Sequence, residues 1–174
     1  MSNLPPPSSP PPPPPPMGDG YVPAAPASFG QRLGTVIIDG LILGVPFGIV
    51  YAIALAAVPT EIVLCQDDTA LCEQPTGGGF AVLLLIGLVY VIAFLWYIAE
   101  FEGRRGATIG RSAMSTKVVR IGTDQPIGAG AAIGRYFARI LSGLPCYLGY
   151  LWMLWDPQKQ TWHDKIVGSQ VVKG

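Results

Sequence analysis

The stretch LGTVIIDGLILGVPFGIVYAIALAAV, from Leu33 to Val58, holds a single charge, Asp39, and a single helix interruption, Pro46. At 1.5 Å rise per residue it is long enough, as a helix, to cross a hydrocarbon core of about 30 Å. A second stretch, Phe80 to Ala99, has no charge at all. Trp96 and Tyr97 sit near its end, where amphipathic rings favour a membrane interface. The two stretches predict full transmembrane helices, with a lipid bilayer as their partner.

The composition agrees. Of 174 residues, 50% are apolar and 13% charged, against about a quarter charged in ordinary soluble domains. Eleven basic residues balance eleven acidic ones, so no excess of positive charge points to nucleic acid. The placement of charge says more than its sum. Residues 59 to 79 hold Glu61, Asp67, Asp68 and Glu73 but no Lys or Arg. Residues 100 to 139 hold Arg104, Arg105, Arg111, Lys117, Arg120, Arg135 and Arg139. Short loops rich in basic residues stay cytoplasmic. The acidic loop is therefore expected outside and the N-terminus in the cytoplasm. An oxidising exterior would permit a disulfide between Cys65 and Cys72; two free thiols are the other reading. Cys146, in an apolar segment, is expected to be inert packing.

Residues 1 to 28 stand apart, with Pro5 to Pro7 followed by an unbroken run from Pro10 to Pro16. Such a tail has too little apolar surface to offset the entropy of ordering, so it is expected extended and disordered. It serves either as a docking site for a proline-recognising cytoplasmic protein or as a solvated tether. It does not read as a secretory signal: Arg32 alone supplies basic charge before the apolar stretch, and no clean cleavage site follows.

A third hydrophobic region, Ile127 to Trp155, is interrupted by Arg135, Arg139 and Pro145. The segments from Lys117 to Ile121 and from Gly168 to Lys173 both read as short strands. If these pair, the region between them enters and leaves on one side, as a re-entrant or interfacial hairpin hinged near Gly143 to Pro145. A third full crossing is the rival. The fold class expected is an all-α membrane protein: two full spans, a third broken element and a small cytoplasmic strand pair.

Arg32, Asp39 and Pro46 follow one another at seven-residue spacing, so they share a helix face. Asp39 lies on the order of 10 Å deeper than Arg32. A bare carboxylate there is costly, so it must be protonated, paired or facing water. Either it titrates in a mechanism or it pins a helix by hydrogen bonding, with Arg135 or Arg139 as its partner. Gly40, Gly44 and Gly48 form a small-residue ladder of the kind that lets helices approach closely, against the second span or another copy. His163 is the lone histidine, and no metal set, phosphate loop or nucleophile elbow appears. No metal, cofactor or enzymatic activity is expected.

These positions carry a resemblance. The runs from Phe29 to Asp39, from Gly106 to Arg111, from Lys117 to Arg120, from Gln125 to Gly128 and from Leu154 to Gly168 resemble the RDD family of membrane proteins. The family is named for one arginine and two aspartates. The likeness covers residues 29 to 172, and its motifs are specific in combination. It implies that Arg32 and Asp39 are the first two signature residues, and that either Asp156 or Asp164 is the third. With a proline-rich tail and loop cysteines, the chain is similar to the actinobacterial proline-rich antigen type, which implies a bacterial plasma membrane. The resemblance implies transport of an unidentified ligand, or cation/proton exchange; two or three spans are few to enclose a pathway, so this requires a homo-oligomer or a membrane partner. Asp39 would then bind the ion, while Arg32, Asp156 and Asp164 shape a cytoplasmic mouth. A non-transporting scaffold whose tail recruits partners is the alternative.

Overall fold

The computed structural model describes residues 24–65 and 70–174. Most of the proline-rich tail, with Asp67 and Asp68 of the acidic loop, lies outside the described residues.

Helix α1, Phe29–Ala57, begins at a capping box: the Ser28 hydroxyl accepts from the Gln31 N–H, and the Gln31 side chain accepts from the Ser28 N–H. Two N–H groups that the helix cannot satisfy itself are thereby paired. The helix runs through Pro46. A hairpin follows, strand β1 (Thr60–Leu64) against β2 (Leu71–Pro75), antiparallel with Val63 opposite Cys72. The acidic loop is thus a strand pair, which its charge pattern does not announce. Cys65 and Cys72 are disulfide-bonded across it. Helix α2, Gly77–Tyr97, is capped by the Thr76 hydroxyl and continues as a wider π-helical turn, Ile98–Arg104.

The α1–hairpin–α2 order makes the two long helices antiparallel. Phe47 stacks on Tyr90 with ring centroids 3.9 Å apart. Phe29–Ala57 and Gly77–Arg104 are long and apolar enough to cross a bilayer, with mean hydropathy of 2.2 and 2.6 over their most apolar stretches. That stretch of α1 has no residue buried within the protein.

The remaining elements gather at the end where α1 begins and α2 finishes. They are α3 (Ile109–Ala113), β3 (Thr116–Arg120), α4 (Ala129–Gly143), α5 (Leu148–Leu151) with a 3₁₀ turn to Leu154, α6 (Trp162–Val167) and β4 (Ser169–Lys173). Strands β3 and β4 pair antiparallel, with Val118 opposite Val171, as the sequence predicts. The third hydrophobic region therefore starts and returns at one end of the fold. The chain reverses after α4 through Cys146 and Tyr147, both with positive φ. Cys146 is a free thiol exposed at this reversal.

One boundary and one packing contact differ from expectation. Residues 24–27 belong to the fold: the Ala27 N–H donates to Val171 and the Lys173 N–H to Ala25, which lays this segment along the free edge of β4. The glycine ladder does not form the α1–α2 contact. No atom lies within 4 Å of a Cβ built on Gly40, Gly44 or Gly48, and the two helices touch through the Phe47–Tyr90 stack instead.

Candidate functional site

Six charged side chains converge where the helices meet the terminal elements. Arg32, one turn into α1, donates through Nη1 to Asp164 Oδ2 at 2.6 Å and through Nη2 to the Lys159 carbonyl at 2.7 Å. Asp164 sits in the first turn of α6, fully buried, and accepts the Thr161 N–H at 3.1 Å as part of a capping box. On its other side Arg135 of α4 donates to Asp164 through Nε at 2.9 Å and again through Nη2. Arg135 also pairs with Glu102, which the π-helical turn presents inward. Glu102 further receives Arg111 of α3 at 3.2 Å and Arg139 of α4 at 3.3 Å. The network runs Arg32–Asp164–Arg135–Glu102, then forks to Arg111 and Arg139. Arg135 and Glu102 are each 1% exposed.

Small residues make this approach possible. Helix α4 turns Ala132, Arg135, Ala138 and Ser142 inward. At Gly103, beside Glu102, a Cβ would lie 2.7 Å from the Ala129 backbone.

Electrostatics follow from the burial. Burial alone would raise the Asp164 carboxyl, but Arg135 and Arg32 outweigh it and hold Asp164 well below the usual carboxylate range. Burial pushes the Arg111 guanidinium down to about 10, against the pull of Glu102. His163, lodged between the hydroxyls of Ser142 (3.1 Å) and Thr161 (2.9 Å), is pushed down to about 2 by burial, then by Arg135. It is neutral at any ordinary pH.

Asp39 lies apart from this network. It accepts the Thr108 hydroxyl at 2.6 Å, the Gly110 N–H at 2.7 Å and the Tyr97 hydroxyl at 3.3 Å. The expected pairing with Arg135 or Arg139 is not formed: Glu102, invisible as a partner in the sequence, reaches both arginines first. Asp39 thus tethers α3 to α1 through neutral donors. Of the two candidate aspartates, Asp164 meets Arg32; Asp156 pairs with Lys165 at 2.5 Å and accepts the N–H groups of Gln158 and Gln160. Burial opposes that arrangement and Lys165 overcomes it, so the Asp156 carboxyl also sits low.

Beside the network is a cavity of about 890 Å³, bounded by α1, α2, α4 and α5. Arg32, Arg111, Arg135, Arg139, Glu102 and Asp39 supply its charged wall. Leu43, Phe94 and Ile140 are among its apolar ones, and Gly40 and Gly44 open onto it. Among the described residues, no group of three His, Cys, Asp or Glu side chains is placed to hold a metal ion.

The RDD family model matches residues 26–168. The chain belongs to the RDD family. This RDD protein is 32% identical over 108 residues to the Proline-rich antigen of Mycobacterium leprae (strain TN), covering 62% of this chain and 43% of that one. It is 34% identical over 100 residues to the Proline-rich antigen homolog of Mycobacterium tuberculosis (strain CDC 1551 / Oshkosh), covering 58% and 42%. It is 32% identical over 152 residues to the Uncharacterized protein YxaI of Bacillus subtilis (strain 168), covering 84% and 97%. Its match spans less than half the length of either mycobacterial relative. No solved structure matches. It is an RDD protein of the actinobacterial proline-rich antigen type, and the family and two apolar helices together point to a membrane protein.

Glu102 stands outside the runs that mark the sequence, and Thr108 lies within the Gly106–Arg111 run with no charge to distinguish it. The signal for Glu102 was a run of arginines around a break in a long helix, with too few nearby acids to balance them.

Proposed function

We propose that this RDD protein is a multi-pass protein of the bacterial plasma membrane that binds a ligand for transport, without enzymatic chemistry. The observation that carries this reading is the cavity, a half-open cleft that lies beside the buried ion network. So small a bundle would otherwise offer no room for a solute. Helix α4 supports the membrane part of the reading. It buries Arg135 and Ser142 while Phe137, Ile140 and Leu141 face outward, the reverse of a helix in water. In this proposal α4 and α5 form the re-entrant element, the disulfide hairpin lies outside, and the β3–β4 end and N-terminus lie in the cytoplasm.

Cation or proton exchange through Asp39 has less support than ligand binding at the arginines, because three donors already occupy that carboxylate. Two long helices line the cavity on part of its circumference only, so a second copy or another membrane protein completes the path. The test is flux. Full-length protein in liposomes should pass small organic anions down an imposed gradient. Arg139→Gln, which leaves the Arg32–Asp164–Arg135 core intact, should reduce the rate at least tenfold. Equal flux in protein-free liposomes would reject transport.

A second reading, a scaffold whose proline-rich tail recruits a cytoplasmic partner, is favoured by one observation. Residues 24–27 are hydrogen-bonded to β4, which fixes the root of the tail to the fold. Deleting residues 1–23 should abolish a scaffold's partner recruitment and leave flux unchanged.

A further inference from the structure

The cavity carries unbalanced charge. Arg32, Arg111, Arg135 and Arg139 face Glu102 and Asp164 within the network, and Asp39 on the cavity wall is the remaining acid. Four guanidinium groups therefore meet three carboxylates. Uncompensated charge away from water is costly, and a bound counter-charge removes the cost.

One guanidinium is placed to receive it. Arg139 uses a single N–H, to Glu102 at 3.3 Å, and is 22% exposed on the cavity wall. Its guanidinium has five N–H donors in a fork that matches an oxyanion. Arg111, whose side chain is 5% exposed, lies on the same wall and shares Glu102 with Arg139. The other walls are apolar: Leu33, Val36, Leu43, Phe94 and Ile140. A volume of about 890 Å³ falls in the range of pockets for organic ligands, about 300–1,000 Å³, far beyond what an inorganic oxyanion fills. The apolar surface continues past the cavity along Leu144, Tyr147 and Leu148, all more than half exposed.

We infer that this cavity binds an anionic amphiphile, a lipid whose phosphate or carboxylate sits on Arg139 and the neighbouring Arg111 while its chains lie along α1, α2 and α4. Basic pockets between membrane helices hold lipid headgroups by the same chemistry. The inference rests on the ligand-binding reading above and names the ligand class for that site.

The test is lipid retention by the full chain in detergent micelles, read by native mass spectrometry. Dioleoylphosphatidate and phosphatidylglycerol should bind at least tenfold more tightly than phosphatidylcholine. Arg139→Gln should erase that preference, whereas Arg104→Gln, on the surface pair with Glu100, should keep it. Arg139→Lys, which keeps the charge and loses the fork, serves should the glutamine variant unfold, and should lower the preference severalfold. Equal binding of phosphatidylcholine, or an unchanged preference in both Arg139 variants, overturns the inference. So does displacement of the lipid by an equal concentration of inorganic phosphate, since a free anion would then suffice. Retention is measured with no gradient, so it can hold where flux fails, and fail where flux holds.

Discussion

Two neutralities and one charge define the site at the residue scale. His163 is held unprotonated between two hydroxyls, with its folded pKa near 2 against about 6.5 in an unfolded chain. A depressed histidine contributes stability that is complete above the unfolded value and is lost as pH falls below it. The loss is about 1.4 kcal/mol per pH unit, so about 2 kcal/mol between pH 6.5 and 5. Melting curves in detergent should show that fall, and His163→Gln should flatten it. Asp164, held low by Arg135 and Arg32, adds its own loss only below about pH 4, its unfolded value. Asp39 is different in kind: its donors are neutral, and their loss is a packing matter. Asp39→Asn keeps an acceptor for the Gly110 N–H, so it should cost about 1–2 kcal/mol and leave lipid retention intact. Retention abolished in a folded Asp39→Asn protein would return this carboxylate to the binding mechanism.

Among the elements, α1 and α3 approach so closely that Gly110 has no substitute. A Cβ there would lie 2.6 Å from the Thr35 carbonyl and 2.8 Å from the Asp39 carboxyl. Gly110→Ala should therefore destabilise by about 1–3 kcal/mol, a drop that thermal melting reads, while an unchanged melting temperature would deny the contact. The elements themselves were largely legible. Long apolar runs disclosed α1 and α2, and the valine pairs at 118–119 and 171–172 disclosed β3 and β4. Hydrogen-bonded caps extended both helices beyond the apolar runs, from Leu33 back to Phe29 and from Phe80 back to Gly77. The β1–β2 hairpin was hidden because its acidic residues signalled a loop more strongly than Ile62 and Val63 signalled a strand. The ion network was hidden for a different reason. Arg135 could have met any carboxylate, and only the π-helical turn after Tyr97 brings Glu102 to it ahead of Asp39.

For the whole molecule, charge partition and chain connectivity agree. The disulfide hairpin lies at one end of the long helices, and residues 24–27, both strands of the second sheet and the ion network gather at the other. An introduced cysteine at Glu73 should react with an impermeant thiol reagent on intact cells, and one at Lys173 should not; labelling at Lys173 would reverse the proposed orientation. What joins the first helix to the last elements of the chain is the Arg32–Asp164 pair, buried at 2.6 Å. Removing Arg32 leaves Asp164 paired with Arg135, and removing Asp164 leaves Arg32 only the Lys159 carbonyl, so each loss is below the roughly 3–5 kcal/mol of a fully stranded buried charge. The most direct measurement is a double-mutant cycle on stability with Arg32→Gln, Asp164→Asn and the combination. Coupling of about 2 kcal/mol or more is the result this architecture predicts. Additive losses, with coupling below about 0.5 kcal/mol, would contradict it.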